Sequence, residues 1–222
     1  MNGSGAILGL LGLLMGAAAS AQSLRSPEEI VIHIHKDFKN TDFVEGLMCE
    51  LGRVLRSPVR STESTLPLTR MDLMTQTQLD AVRVRSRFVQ TIQDDRKAFH
   101  YLIVPYDLKV AFLNYVFADT ELDGEPAAIM STIRLMPQEP GLSRKRVADV
   151  TGDRLYKLML KSIALLAGLR SQGCIMMFPR SLPELDAKPD RFCPDDHERL
   201  VAAGILKERQ TGACNEVAAA PR

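Results

Sequence analysis

The chain has 222 residues, with 28 Lys and Arg against 27 Asp and Glu, so its formal net charge is +1. This near-neutral balance removes the electrostatic basis for binding a nucleic-acid backbone. Tryptophan is absent and aromatic residues make up only 5%, so there is no stacking platform for bases or sugars. Hydrophobic residues at 45% and charged residues at 25% are ordinary for a globular protein of one medium-sized domain.

Residues 1–21 have the composition of a secretory signal peptide. No charged side chain precedes Arg25, residues 6–15 form an apolar run, and Ala-Ser-Ala at 19–21 fits a small-residue cleavage site. The run is too short and too rich in glycine for a membrane span. It lacks the preceding Lys or Arg of an ordinary signal peptide, so an uncleaved anchor or a buried helix is the alternative. We expect cleavage before Gln22 and export to the periplasm or the extracellular space, without a stable membrane span.

The first half of the chain alternates strand and helix patterns. Hydrophobic periodicity predicts, in order, strand Glu29–Lys36, helix Thr41–Leu55, strand Pro58–Ser64, helix Thr75–Lys97 and strand Ala98–Pro105. The first helix has Thr41 or Asn40 as its candidate N-cap. The second is predicted to be one long amphipathic helix with Leu79, Val82, Phe88 and Ile92 near its apolar stripe.

The second half begins with strand patterns and ends irregularly. The segments predicted there are strands Asn114–Ala118 and Ala127–Leu135, helix Asp149–Leu169 and a last short helix near Pro194–Ala203. The acidic residues Glu121, Asp123 and Glu125 most simply decorate a turn between the two strands. The sequence therefore predicts one α/β domain over residues 22–210. It has a mixed twisted sheet, flanking helices and an irregular C-terminal part, followed by a flexible tail at 211–222.

Three segments have a pattern that resembles one known family, the archaemetzincins, which are metzincin zinc peptidases. They read LNYVFADTELDGEPAAIMSTIRLMP, RLYK and GLRSQGCIMMFPRSLPELDAKPDRFC. The matching positions are Asn114, Val116, Phe117, Ser131, Arg134, Leu135, Arg154–Lys157, Gly168, Leu169, Cys174, Met176 or Met177, Phe178, Ser181, Leu182, Asp186, Lys188 and Cys193. The resemblance covers roughly residues 31–200, is strongest after Asn114, and implies a single metzincin-like domain.

The segment KSIALLAGLRS departs from the metzincin signature H-E-x-x-H-x-x-G-x-x-H at every chemical position. Gly168 takes the glycine place, whereas Lys161 and Leu165 replace the two helical histidines, Ser162 replaces the glutamate base and Ser171 replaces the third histidine. Zinc needs three or four donor groups, and the base must lie beside it to activate water. The resemblance therefore implies a peptidase fold that has lost its metal and its catalysis.

A metzincin-like cleft without zinc can still bind a peptide or a protein. We expect Ala127–Leu135 to be an edge strand that pairs with an extended peptide. Leu165 is expected to fill the former metal space. Lys161 either extends to the cleft mouth, pairs with an acid or replaces the zinc charge. A Lys161–Ser162 catalytic pair is disfavoured because adjacent helix residues face different ways.

The resemblance also implies a second, four-thiolate zinc site that is half lost here. Cys174 and Cys193 remain, whereas Gln172 and Asp196 replace the other two cysteines. In an exported protein the remaining pair is expected to form a disulfide, whose loop of about 20 residues is worth about 3 kcal/mol. The alternatives are free thiols or a residual zinc site formed by Cys174, Cys193, Asp196 and His197.

Other histidines and cysteines leave further readings open. His33 and His35 lie on one face of a strand, and His100, His197 or a carboxylate would complete a metal site. The alternative function as an enzyme is a metal-dependent hydrolase with such a relocated site. A third possible function is that of a structural envelope protein with a closed cleft. Cys49 lies in an apolar helix, where it is either a buried free thiol or one half of a second disulfide.

Overall fold

The computed structural model describes residues 23–92, 95, 97–120, 122, 126–208 and 214. The predicted signal segment 1–21 and the predicted tail 211–222, apart from Cys214, lie outside the described residues, as do the three acidic residues of the 121–125 turn. Within the described ranges, no helix has the length and apolar character needed to cross a membrane.

Helices and strands alternate along most of the chain. In order, the elements are β1 (Ile30–His35), α1 (Phe43–Val54), β2 (Val59–Ser64), β3 (Gln78–Asp80), α2 (Ala81–Thr91), β4 (Phe99–Val104), β5 (Asp107–Lys109), β6 (Ala118–Thr120), β7 (Ala127–Ser131), α3 (Arg144–Leu166), α4 (Leu182–Ala187) and α5 (Pro194–Ala202). The predicted order of strands and helices and the irregular C-terminal part are therefore present.

The main sheet has five strands in the spatial order β2-β1-β4-β7-β6. The pairs β1–β2, β1–β4 and β4–β7 are parallel, and only β6 runs antiparallel, beside β7. A separate parallel pair joins β3 to β5. This is the mixed α/β sheet that the sequence predicted, with helices covering both of its faces.

The alternation of side chains along β4 divides the core into two layers. Tyr101 and Ile103 face the layer that contains α1 and α3, with Leu51 and Met159 among its buried side chains. Leu102 and Val104 face the layer that contains α2. Because successive strand residues point to opposite faces, a fully buried central strand such as β4 is apolar at almost every position, with His100 as the exception.

The prediction of one long helix over Thr75–Lys97 is wrong. Residues 78–80 form β3, which pairs with β5, and only Ala81–Thr91 is helical. Asp80 starts the helix because its side chain accepts a hydrogen bond from the Arg83 backbone N–H. Val82, predicted near the apolar stripe, is 45% exposed.

Several predicted boundaries also move. Helix α1 is preceded by Asp42, whose side chain makes no capping bond, rather than by Thr41 or Asn40. Helix α3 begins at Arg144 instead of Asp149, because the Ser143 side chain accepts from the Arg146 N–H and caps an earlier start.

The two strands predicted after Asn114 change their places in the sheet. The predicted strand Asn114–Ala118 is replaced by β6, which begins only at Ala118. Within the predicted segment, Val116 forms an isolated bridge to Leu108. The second, β7, is not an edge strand, since it pairs with β4 on one side and β6 on the other. The free edge at this end of the sheet therefore belongs to β6.

Candidate functional site

A cavity of about 480 Å³ lies between α3, the edge strand β6 and the loop that precedes α4. Its lining comprises Leu113, Asn114, Tyr115, Val116, Phe117, Ala118, Asp119, Thr120, Leu122, Leu158, Lys161, Ser162, Leu165, Phe178, Pro179 and Arg180. Three of the five predicted degenerate positions, Lys161, Ser162 and Leu165, are therefore brought together in one cleft wall. Gly168 and Ser171 are not part of this lining.

The geometry at the end of α3 explains why three of the five positions line the cavity and two do not. Leu165 is four residues after Lys161 and three after Ser162, so it neighbours both on the helix surface and all three positions reach the same cavity. Gly168 has φ +96°, and the Leu169 N–H donates to the Ala164 carbonyl, so the chain leaves the helix through a left-handed turn. The helix therefore ends before Gly168, and Ser171 follows in an irregular segment.

Ser162, at the position of the missing base, is 2% exposed. Its Oγ lies 2.9 Å from Oγ1 of Thr120 on β6, so a hydroxyl pair joins the helix to the edge strand. The hydroxyl of Tyr101 lies beneath them, and no hydrogen bond of normal geometry satisfies it in the described part of the chain. Burial raises the pKa of Tyr101, and the nearby Ser162 hydroxyl only partly opposes this.

Leu165 and Lys161 occupy the positions of the two helical histidines. Leu165 is half-buried and packs against the main core, but a cavity remains open beside it. The Lys161 Nζ donates to the Met177 carbonyl at 3.4 Å and lies 5.1 Å from the centre of the Phe178 ring. Burial lowers the pKa of Lys161. Within the described ranges, this ammonium forms no ion pair with a carboxylate.

The remaining charges of the cleft come from other segments. Asp119 lines the cavity, but its carboxylate accepts from Arg85 Nε at 2.7 Å. The exposed Arg180 stands at the rim, where its backbone carbonyl accepts from the Tyr115 hydroxyl at 3.0 Å. That bond holds the loop before α4 against the residues leading into β6.

Zinc does not fit at the predicted positions. Lys161 is a cation, Leu165 has no donor atom and Ser162 is already engaged with Thr120. No group of three or more His, Cys, Asp or Glu side chains among the described residues is placed to hold a metal ion.

The cysteines form two bonded pairs. Cys174 and Cys193 are joined with a Cα–Cα distance of 5.4 Å and a sequence separation of 19 residues. Cys49 is joined to Cys214 at 5.6 Å, across a separation of 165 residues, so the reading of Cys49 as a buried free thiol is wrong for this structure. In this state, Cys174 and Cys193 have no thiolate to offer beside Asp196 and His197.

The strand histidines are not assembled into a metal site either. His33 Nε2 lies 3.1 Å from His100 Nδ1, whereas His35 Nε2 contacts the Leu66 carbonyl at 2.9 Å. Burial, followed by the neighbouring His100 and Arg60, lowers the pKa of His33 to about 4. Burial also lowers the pKa of His100. These side chains bond to one another or to the backbone, and burial favours the neutral form of His33 and His100.

Sequence reasoning missed the part of the cleft that faces α3. Thr120 fell in the segment interpreted as a turn, and Arg180 matched no motif position. Phe178 was noted as a matching residue but was not placed in the site. The apolar run before Pro179 was a sequence signal for Phe178 alone. Thr120 and Arg180 had none, because they reach the cavity through contacts between distant segments.

Comparison with known proteins gives relatives of one kind. The archaemetzincin of Halobacterium salinarum is 33% identical over 95 residues, which is 41% of this chain and 54% of that protein. The archaemetzincin of Methanocaldococcus jannaschii is 31% identical over 106 residues, which is 46% of this chain and 58% of that protein. The chain thus spans about half the length of the curated relatives it matches. No protein-family model matches the chain.

A solved structure extends the likeness over most of the fold. The crystal structure of archaemetzincin from Archaeoglobus fulgidus, complexed with malonate, aligns with a TM-score of 0.61. The alignment covers 77% of this chain and 99% of the other at 20% sequence identity. Both comparisons therefore agree with the family that the sequence segments resemble.

Proposed function

We propose that this archaemetzincin-like chain is an exported, non-catalytic pseudopeptidase that binds a peptide or protein partner in the cleft between α3 and β6. The observation that carries this proposal is the chemistry of the cleft wall. Lys161, Ser162 and Leu165 line it together and offer no zinc ligand set and no general base.

Backbone geometry supports a peptide as the occupant. The Ser131 N–H donates to the Phe117 carbonyl, so the backbone N–H and C=O groups of Phe117 point toward β7. Because antiparallel pairing alternates, the N–H and C=O groups of Ala118 and Thr120 point away from β7, toward the free edge. Both residues line the cavity. An extended peptide could add a strand at this edge and place its side chains against α3.

Export is supported by two features. Residues 1–21 have signal-peptide composition. The four cysteines form two disulfides, a state typical of oxidising compartments. N-terminal sequencing of the secreted chain tests this part: a mature N-terminus at Gln22 is expected, and retention of Met1 in the cytoplasm would contradict it.

Binding is tested with the mature protein and a library of extended peptides on an array. We expect Ala118→Pro, which removes an edge N–H, to abolish peptide capture. Ala118→Val keeps that N–H and suits a strand, so it is the matched control and should still bind. Equal capture by both variants would overturn pairing at β6.

Two other functions remain as outcomes of the same experiments. Metal-dependent cleavage of the library would favour a hydrolase with a relocated metal site, and no capture of any peptide would favour a purely structural envelope protein. The cavity of about 480 Å³ supports a cleft that has stayed open over one that has closed.

A further inference from the structure

Lys161 in the cleft wall and the buried Lys188 near it have no counter-ion in the described part of the chain. Lys161 is half-buried in the cavity wall, and its Nζ makes only the long bond to the Met177 carbonyl and the approach to Phe178. Lys188, just after α4, is 3% exposed, and its Nζ has no hydrogen-bond partner among the described residues. The charge of Lys161 acts on Lys188, as does that of Lys157.

Two acids, one lining the cleft and one close to Lys188 in the chain, are already engaged. Both carboxylate oxygens of Asp186, two residues before Lys188, accept from the Arg154 guanidinium at 2.7 Å. Asp119, which lines the cavity, is bonded to Arg85. Lys157 Nζ donates to the backbone carbonyls of Leu185 and Asp186 and adds a further positive charge. The wall on this side of the cavity is therefore positive and contains no unpaired described carboxylate to balance it.

Keeping unpaired amines in a protein interior is unfavourable unless something else requires them. A buried ammonium is stabilised only by a paired anion or several hydrogen bonds, and the residues that the structure describes provide neither for Lys188. Burial, followed by the charges of Lys161 and Lys157, lowers the pKa of Lys188 to about 7. An anion docked on Lys161 would offset the positive charges that act on Lys188.

We propose that the cleft recognises a carboxylate of its peptide ligand, which docks on the Lys161 ammonium while Lys188 supplies a second positive charge from behind the wall. The apolar lining, with Leu158, Leu165 and Phe178, receives the side chain next to that carboxylate. This inference rests on the proposed peptide-binding function and names the chemistry that selects the peptide. The carboxylate comes from a free C-terminus or from an Asp or Glu side chain.

Three small probes separate these sources. N-acetyl-leucine carries a C-terminal carboxylate and an apolar side chain, and N-acetyl-leucinamide has the same shape without the charge. N-acetyl-aspartate α-amide, in which only the main-chain carboxyl is amidated, carries only a side-chain carboxylate. Binding to the mature protein is measured by titration calorimetry and by the NMR signals of the lysine ε-methylene groups.

We expect at least one carboxylate probe to bind about tenfold or more tightly than the uncharged amide, as a charge-assisted hydrogen bond implies. The signals of Lys161 and Lys188 should shift together. Complex formation near pH 8 should also take up protons, because an anion raises the pKa of Lys188 toward that of an ordinary lysine. Asp186, held by Arg154, should not titrate in this range.

Lys161→Met should remove the preference for the carboxylate, whereas Lys161→Arg should retain it. Lys145→Met, on the exposed start of α3, is the matched control and should behave as the unaltered protein. Thermal unfolding checks that every variant is folded. Equal binding of the carboxylates and the amide, or an undiminished preference in Lys161→Met, would overturn the proposal.

Failure of this inference is distinct from failure of the proposed function. If no probe binds but the peptide array still captures peptides in an Ala118-dependent way, the carboxylate site is overturned and the peptide cleft stands. If the carboxylate probes bind through Lys161 but no peptide is captured, the anion site stands and the peptide function is overturned.

Discussion

The Ser162 and Thr120 hydroxyl oxygens lie 2.9 Å apart, so the helix position that holds the general base in metzincins is bonded here to the edge strand. A glutamate at this position would face a bound metal and its water. The serine instead connects α3 to β6 inside the cleft wall. At this position the described residues form a contact between two elements of the fold.

Removing either hydroxyl should cost stability. We expect Ser162→Ala and Thr120→Val each to lower the free energy of unfolding by about 1 kcal/mol, with a coupling of about 0.5–1.5 kcal/mol in the double variant. Urea unfolding of the four proteins measures this cycle. Ser171→Ala, outside the cavity lining, is the control and should change little. Strictly additive effects would show that the two hydroxyls do not interact.

Gly173 is predicted to be required by the neighbouring disulfide. A Cβ at this position would lie 2.9 Å from the Cys193 Sγ, which is fixed by its bond to Cys174. We expect Gly173→Ala to destabilise the oxidised protein by about 1–3 kcal/mol through overpacking.

The matched control is Gly46→Ala, in α1, where a Cβ would meet nothing within 4 Å. This change should stabilise the protein by about 0.5–1 kcal/mol because alanine favours a helix. Thermal unfolding of both variants checks the contrast. Similar behaviour of the two would contradict the close approach of Gly173 to the disulfide.

Lys188 should make the protein less stable at neutral pH than an apolar residue would. Its pKa is about 7 in the folded chain against 10.5 for an ordinary lysine, so between these values the unfolded chain binds more protons. Stability therefore rises with pH through this window. We expect Lys188→Met to be more stable by about 1–3 kcal/mol at pH 7.

The advantage of Lys188→Met should shrink as the pH approaches 10.5. Denaturant unfolding of both proteins at about pH 7 and about pH 9 measures it. Lys145→Met, at an exposed lysine, should show no such pH dependence. A constant difference between Lys188→Met and the unaltered protein would mean that the amine is not desolvated.

His33 should make the protein sensitive to mild acid. Its folded-state pKa of about 4 lies below the ordinary 6.5, so the unfolded chain takes up the proton first as the pH falls. Stability should decline from pH 6.5 toward about 4, by up to about 2–3 kcal/mol from this residue.

The variant His33→Gln should lose less stability over the same range. Carboxylates also titrate in this range, so the quantity to compare is the difference between the two proteins. His197→Gln, on α5, is the control and should follow the unaltered protein. If His33→Gln loses stability as steeply as the unaltered protein, the buried His33–His100 pair is not the acid-sensitive element.

The purified mature protein should contain far less than one zinc ion per chain, even after incubation with zinc and dialysis. The physical reason is that the cleft offers Lys161 and Leu165 at ligand positions, and that Cys174 and Cys193 are bonded to each other. Elemental analysis with a thiol count measures both. Stoichiometric zinc together with free thiols would contradict this prediction.

Local patterns were sufficient for some elements and insufficient for others. The β-branched run at β1 and the largely apolar run at β4 each predicted a strand to within a residue or so, because burial on both faces favours such runs. The apolar spacing around α2 predicted a helix about twice as long as the one observed. One reason is that the residues of β3 continue the helical spacing although they pair with β5. Pairing with a distant strand leaves no local signature.

In the candidate site, too, some residues could be predicted from local patterns and others only from the tertiary structure. The spacing of Lys161, Ser162, Leu165 and Gly168 indicated which helix corresponds to the motif helix of the family that the chain resembles. Only the structure placed Thr120 and Phe178 opposite that helix, because both reach the cavity from segments far away in the chain. The prediction that β7 is the free edge was wrong for the same reason, since sheet order depends on which strands meet in space.

By itself, then, the sequence determined the fold class, the degenerate helix and the absence of metal ligands at the motif positions, because periodicity, turn residues and donor atoms are local properties. The tertiary structure alone decided that β6 is an edge of the sheet, that Cys49 pairs with Cys214 and that Lys188 is buried without a hydrogen-bond partner among the described residues. These are relations between distant segments, and they are set by packing of the whole core rather than by any one stretch of residues.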